Sequence, residues 1–306
     1  MPGPIFPHFK PLDPSDRPSI ERLTARFLPY SDYSFVSLLS WSAAGRIEWS
    51  VLRENLAVRF DGYVAGDVPF YSMLGANEID ATVAELIDFS GRAPVDGALK
   101  LVPEVVVEEI SDRSPYVIDE DPDNHDYVFK TSDLAGCRGA RFEAKRKRIN
   151  RFLRAYGHDT RVEGIDLADR RIEREVLAVF SAWEQSRLLD RRQTADELDA
   201  VRTLLTNAAH LDLNGIGVMI DGQLSAFSIF EVVDDFAIAH FEKADVAYQG
   251  LFQFLKQQVA ISLRDRGCEF VNYEQDLGLP GIRREKRSWH PATYLKKYVI
   301  SALGQR

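Results

Sequence analysis

Cysteine is nearly absent from this 306-residue sequence: Cys137 and Cys268 are the only two, far apart along the chain. They lack metal-ligand spacing and offer no disulfide framework, so they read as two ordinary thiols of a reducing compartment. No apolar run reaches the roughly 18 residues that a membrane-spanning helix needs. The opening Met1-Pro2-Gly3-Pro4 lacks the basic and then apolar profile of a signal peptide. A cytoplasmic protein is therefore expected. No set of His, Asp or Glu has ligand spacing, so no metal is expected. Also missing are a G-x-G-x-x-G after a first strand and an eightfold alternation of strand and helix, which excludes a dinucleotide-binding fold and a (β/α)8 barrel.

The formal net charge is -9, which excludes a general nucleic-acid coat. Positive charge is concentrated instead: residues 141–154 read RFEAKRKRINRFLR and 283–287 read RREKR. Two basic patches on an acidic body suggest a focused anionic ligand. A phosphate, a lipid headgroup and a tRNA backbone all fit.

The chain repeats one order of elements. Residues 58–64, VRFDGYV, and 218–224, VMIDGQL, each place Asp-Gly between apolar strands, a tight-hairpin pattern. In the first half a strand, VPFYSML, an amphipathic helix around 78–90 and a strand, LKLVPEVVVEEI, around 99–110 follow. In the second half the strand 237–244, a helix around 250–265 and the strand CEFVNYE around 268–274 follow. The repeat predicts an offset of about 160–170 residues. Antiparallel hairpins followed by strand, helix and strand describe a mixed sheet with helices on both faces. The expected fold class is α/β with a mixed α+β sheet, two tandem acetyltransferase-like domains over 1–120 and 121–306. Pro11–Phe27 is expected to begin the first helix, and polar 111–126 to be the linker. Long helices are predicted over 140–156, 168–187 and 195–209.

Within the second half, HDYVFKTSDLAGCRGARFEAKRKRINRF (125–152), HFEKAD (240–245) and NYEQDLGLPGIRREKRSWHP (272–291) come in that order. The first stretch resembles the opening of the catalytic region of bacterial phosphatidylglycerol lysyltransferases and of their stand-alone relatives. The match lies in Asp126, Tyr127, Asp133, Leu134, Ala135, Lys145, Arg146, Ile149, Asn150 and Phe152. The last resembles that family's C-terminal signature through Glu274, Asp276, Leu277, Gly278, Gly281, Arg283, Lys286, Ser288, His290 and Pro291. The resemblance implies a tandem acetyltransferase-like fold and transfer of an aminoacyl group from charged tRNA to a lipid hydroxyl. This sequence departs from the characterised members in having no membrane-spanning run.

Chemistry can be placed on four groups of residues. On the basic helix, Phe142, Ile149, Phe152, Leu153 and Tyr156 form an apolar stripe, and Lys145 falls inside it with Arg146 and Asn150 alongside. A cation on a packed face needs a partner. Lys145, with Arg146, either points into the cleft between the halves and holds a phosphate or carboxylate, or pairs with a core carboxylate. Lys147, Arg148 and Arg151 face water. At the strand end 240–252 only Gln249-Gly250 precedes the helix, where coenzyme A enzymes carry a glycine-rich pyrophosphate loop. The first half offers Gly75.

Glu242, Asp245, Glu274 and Asp276 form the acidic set, near the ends of two strands expected to be neighbours. A carboxylate there serves as general base or binds an aminoacyl ammonium. Alternatively the acids pair with Lys243 or Arg283. After the 277–281 turn, Arg283 and Lys286 share a helix face and with Lys145 form a single anion site. His290, held extended before Pro291, is a hydrogen-bonding residue or a catalyst. The leading expectation is an acyltransferase, narrowly an aminoacyl transferase, acting on a small-molecule or lipid-headgroup acceptor with aminoacyl-tRNA or acyl-coenzyme A as donor. A coenzyme A-dependent N-acetyltransferase and a non-catalytic binding module are the competing readings.

Overall fold

The computed structural model describes residues 3–42, 46–63, 68–185 and 191–304, without the side chains of 191–193. The chain forms two compact units. The first comprises 1–126 together with 275–283 and 294–306, and the second comprises 127–274 and 284–293. Each is built on a seven-stranded mixed sheet. A single boundary near 120, as expected from the sequence, is therefore replaced by two returns of the chain to its first unit.

The first unit contains β1 (Lys10–Pro11), α1 (Arg17–Thr24), α2 (Phe35–Ser40), β2 (Ile47–Leu52), β3 (Asn55–Phe60), β4 (Phe70–Leu74), α3 (Ile79–Ser90), β5 (Leu99–Pro103), α4 (Glu104–Glu108) and β6 (Tyr116–Glu120). The chain continues through β7 (Asp126–Lys130), α5 (Thr131–Gly136), α6 (Glu143–Tyr156), β8 (Thr160–Ile165), α7 (Arg170–Gln185), α8 (Arg191–Asn207), β9 (Leu213–Ile220), β10 (Gln223–Val233), β11 (Phe236–Ala244), α9 (Leu251–Asp265), β12 (Phe270–Asn272), α10 (Pro280–Arg287), β13 (Thr293–Leu295) and β14 (Lys297–Ala302). The sheet orders are β1-β2-β3-β4-β5-β14-β6 and β13-β7-β12-β11-β10-β9-β8.

Both sheets run antiparallel through a hairpin and then form one parallel pair, β4 with β5 and β11 with β12. A helix, α3 or α9, connects the two strands of each parallel pair. This is the acetyltransferase-like layout, present twice. The tight hairpin of the second unit is where Asp221-Gly222 placed it, both residues having positive φ. In the first unit the tight turn falls instead at Arg53-Glu54, also at positive φ. Asp61-Gly62 merely ends β3, whose next partner starts at Phe70; Val64, the end of that expected strand, lies outside the described residues.

Two further expectations change. The apolar run 99–110 is a strand only to Pro103, after which Glu104–Glu108 turn helical and bury Val106 and Val107. The polar stretch 111–126 contains the edge strand β6, paired with β14. The helix expected over 168–187 is described over Arg170–Gln185, its last two expected positions lying outside the described residues.

One buried charge cluster holds β14 in the first sheet. Lys297, fully buried, donates to Asp126 Oδ1 at 2.7 Å and pairs with Asp32, both acids themselves fully buried. Asp126 also accepts from the amide and hydroxyl of Ser31, and Asp32 accepts from Gln275 at 2.6 Å. Burial and the nearby Asp126 push the Asp32 carboxyl up to about 6, against the pull of Lys297. Removing the Lys297 ammonium would leave two buried acids without its charge, an arrangement that destabilises by about 3–5 kcal/mol. Lys297→Met is expected to lower unfolding stability by that amount in urea titration. An unchanged midpoint would show that the cluster does not anchor β14.

Candidate functional site

Alternation along β11 sends neighbouring side chains to opposite faces. Glu242 meets Lys256 of α9 at 3.0 Å, while Lys243 meets Glu197 of α8 at 2.5 Å and stands over the Trp183 ring of α7 at 4.1 Å. The α9 side collects the chemically versatile groups. Glu242 accepts from the Tyr273 hydroxyl at 3.1 Å and from Ser228 at 3.4 Å. The Lys256 ammonium lies 3.0 Å from the centre of the Tyr273 ring. Burial lowers the pKa of Lys256 against the opposing pull of Glu242. Burial, and Glu242 beside it, hold the Tyr273 phenol well above its usual value.

A second pair adjoins this one. Lys145 of α6 donates to Glu285 of α10 at 2.9 Å and lies 4.4 Å from the centre of the Trp289 ring. The Trp289 indole also donates to Glu285, at 3.0 Å. Burial lowers the pKa of Lys145 while Glu285 opposes it, and Glu285 acts electrostatically on Lys256 as well. Lys145, Glu285, Lys256 and Glu242 thus form one cluster of alternating charge inside the second unit. The buried cation read from the apolar stripe has a carboxylate partner, Glu285, whose side chain is 37% exposed. The stripe itself consists of Phe142, Lys145, Ile149 and Phe152, with Leu153 exposed.

His240 forms a separate centre. The β10–β11 register shifts so that Phe241 faces Ile229 and Ala239 faces Phe230, leaving His240 as the extra residue of a bulge. Bulges re-aim side chains, and this one directs His240 to Glu231 at 3.0 Å and Glu274 at 3.1 Å. The last rung joining β11 to β12 is Ile238 with Asn272. The His240–Glu274 contact therefore spans the two strands two residues beyond the point where they part. Burial opposes charge on the imidazole, but hydrogen bonds to Glu231 and Glu274 outweigh it and raise the pKa to about 9. Glu274 itself has φ 58, and its carbonyl accepts from Tyr127 N at 3.1 Å and from Lys286 at 3.0 Å.

The other residues singled out from the sequence are engaged elsewhere. Arg146 donates to the carbonyls of Cys137 and Gly139 at 2.5 and 2.6 Å, closing the end of α5. Asn150 is exposed. Asp245 accepts from Ala247 N at 2.8 Å in a local turn. Asp276, fully buried, is clamped by Arg283 through two contacts of 2.8 Å, and Arg283 also reaches Asp123, all within the first unit. Lys286 donates to the carbonyls of Tyr273 and Glu274. Lys145 pairs with Glu285, Arg283 with Asp276 and Asp123, and Lys286 with the carbonyls of Tyr273 and Glu274. His290 is not extended: it has φ 57, bonds the Arg141 carbonyl at 3.1 Å and meets the Phe142 ring edge-on. The acids expected to pair with Lys243 or Arg283 divide: Asp276 does so with Arg283, whereas Glu242 takes Lys256.

Sequence reasoning missed Lys256, Glu285, Tyr273, His240 and Glu231. Lys256 carried the same signal as Lys145, a cation on a stripe with Ala260 and Leu263, all three buried. Among the described residues, no group of three or more His, Cys, Asp or Glu could hold a metal ion, and no helix is long and apolar enough to cross a membrane.

Neither glycine at the candidate pyrophosphate loops has room for a side chain. At the α9 start, Gly250 has φ 93, and a Cβ there would run into the Arg148 carbonyl of α6. At the α3 start, a Cβ on Gly75 would strike Asn55, whose amide donates to Asn77 O at 2.7 Å and accepts from Asn77 N at 3.0 Å.

Residues 25–301 match the family described as "Phosphatidylglycerol lysyltransferase, C-terminal". The fold is similar to that of a conserved protein of unknown function from Bacteroides thetaiotaomicron, at 27% identity and TM-score 0.83, covering 96% of this chain and 99% of that one. It is also similar to the C-terminal domain of a putative lysylphosphatidylglycerol synthetase from Agrobacterium fabrum, at 15% identity and TM-score 0.64, covering 95% and 92%. L-PGS from Bacillus licheniformis is similar at 12% identity and TM-score 0.62, covering 96% and 93%. No curated protein matches the chain.

The charged His240 centre gives stability a definite pH dependence. The folded chain holds a proton up to about pH 9 that an unfolded histidine releases near 6.5. This contribution is fully present below about 6.5 and is lost as pH rises through about 9. Urea midpoints measured across that range are expected to fall for the native chain and to fall less for His240→Gln. Parallel curves would show that His240 is not the group responsible.

Proposed function

We propose, from the premise that the chain belongs to the phosphatidylglycerol lysyltransferase, C-terminal, family, that it transfers an aminoacyl or related acyl group to an amine or hydroxyl acceptor at the charged cluster of the second unit. The observation that carries this reading is Glu242, which is held by Lys256 and the Tyr273 hydroxyl beside the parting of β11 and β12. A carboxylate fixed by two donors keeps the orientation that proton transfer needs.

The step is direct. The acceptor oxygen or nitrogen attacks the acyl carbonyl carbon, forming the new C–O or C–N bond, and its proton passes to Glu242. The tetrahedral intermediate collapses by breaking the bond to the donor's oxygen, which leaves with the proton returned by Glu242. Lys256, 3.0 Å from Glu242, supplies positive charge beside the developing oxyanion. Glu274 is held by His240 and positions the backbone after β12. Asp276 and His290 receive no chemical step in this scheme.

The single glycine before α9, with the Arg148 carbonyl packed against it, favours a donor other than coenzyme A, because a pyrophosphate needs room beside the amides of such a terminus. Charged tRNA fits, and the outer face of α6, where Lys147, Arg148, Arg151 and Arg154 are exposed, suits its phosphates. A lipid headgroup or a small molecule serves as acceptor.

Glu242→Gln is expected to lower single-turnover transfer from aminoacyl-tRNA to a panel of hydroxyl and amine acceptors about 100- to 10,000-fold. Transfer supported by acetyl-coenzyme A alone would establish the N-acetyltransferase reading instead. No transfer from either donor would leave a binding module.

A further inference from the structure

Glu285 differs from every other member of the charged cluster in its access to solvent. The side chains of Lys145, Lys256 and Glu242 are 7%, 9% and 7% exposed, whereas that of Glu285 is 37% exposed. Glu242 is fixed by an ammonium, a phenol and a hydroxyl. Glu285 has the Lys145 ammonium and the Trp289 indole. Of the two carboxylates that balance the two buried lysines, only Glu285 can swing to water without crossing the interior.

Its departure would leave a buried ammonium and a buried indole N–H both without an acceptor, which is strongly unfavourable. Whatever replaced it would need negative charge and at least two acceptor oxygens. The Trp289 ring covers one side of the Lys145 ammonium, so the replacement must approach where the Glu285 carboxylate now lies. Arg148, exposed on the same helix, adds like charge at Lys145 and so favours an incoming anion.

We propose that Glu285 is a resident stand-in for an oxyanion of the substrate, a phosphate or a carboxylate, which displaces it from Lys145 and the Trp289 indole on binding. This deepens the reading of the cluster as the transfer site and rests on that reading for its purpose. It also accounts for why the strongest cation expected from the sequence is paired internally. Neutralising Glu285 removes the competitor, while neutralising Lys145 removes the receptor.

Calorimetric titration of the full chain with inorganic phosphate and, separately, with acetate tests this. Glu285→Gln is expected to bind at least one of the two about tenfold or more tightly than the native chain does, the equivalent of one lost charge-assisted hydrogen bond in the competing state. Adding Lys145→Met to that variant is expected to abolish the gain. A gain for phosphate alone assigns a phosphate ligand, a gain for acetate alone a carboxylate, and equal gains an oxyanion of either kind. No gain for either, or a gain that survives Lys145→Met, overturns the proposal. Should Glu285→Gln fail to fold, Glu285→Asp, which withdraws the carboxylate by one methylene, must show a smaller gain, and its absence overturns the proposal equally. No acyl donor is present in the titration, so a negative result leaves transfer, measured through Glu242→Gln, untouched. A failed transfer assay in turn leaves anion binding standing.

Discussion

A cation removed from water must take a counter-charge with it, and this constraint organises both units. Desolvating an ammonium is unfavourable by several kcal/mol unless a carboxylate or hydrogen-bond acceptor replaces the lost water. Lys297 takes Asp32 and Asp126, Lys256 takes Glu242, Lys145 takes Glu285 and Lys243 takes Glu197. The pairings of Lys297, Lys145 and Lys243 join segments far apart in the chain, so each fixes a position that apolar packing alone would leave free to slide. Aromatic rings complete three of these arrangements: Tyr273 at Lys256, Trp289 at Lys145 and Trp183 at Lys243. A ring face attracts a cation and gives it apolar surroundings at once.

How much of this could be read from the sequence depends on whether a signal is local. Asp221-Gly222 announced its hairpin because both residue types tolerate positive φ. Arg53-Glu54 adopts the same geometry with residues that carry no turn signature, so the equivalent hairpin was sought at Asp61-Gly62. The valines after Pro103 favour strand by propensity, yet they form a helix that buries Val106 and Val107, tertiary packing overriding local preference. The buried position of Lys145 follows from helical spacing, whereas its partner lies 140 residues away, beyond any periodicity. Likewise His240 was invisible as a centre, because the bulge that turns it toward Glu231 and Glu274 depends on pairing with β10. Arg283 and Lys286 were placed correctly on one short helix, but acids and carbonyls outside that helix decide what each does.

The two units use the shared layout differently at the start of the helix that follows the parted strand. In the first, Asn55 reaches across from β3 and occupies the terminus through its amide. In the second, the backbone of α6 lies against Gly250. Different groups thus approach the chain ahead of the two helices. A helix terminus is attractive to anions because its amides lack partners, and here another part of the chain packs close to the glycine ahead of each helix. The buried cations of the second unit, Lys145, Lys243 and Lys256, are each held by a carboxylate.

The return of β14 to the first sheet affects how the chain reaches its native state. β14 lies between β5 and β6, and the whole second unit separates it from them in sequence. During synthesis β5 emerges long before β14 and presents an unpaired edge until the final segment arrives. Pairing over so great a separation is intrinsically slow, and open edges invite association with other chains. The fully buried Lys297 at the head of β14 makes misplaced insertion unfavourable, since in any other register its ammonium would miss Asp32 and Asp126. The same residue that stabilises the finished sheet thus acts as a proofreading device for its assembly.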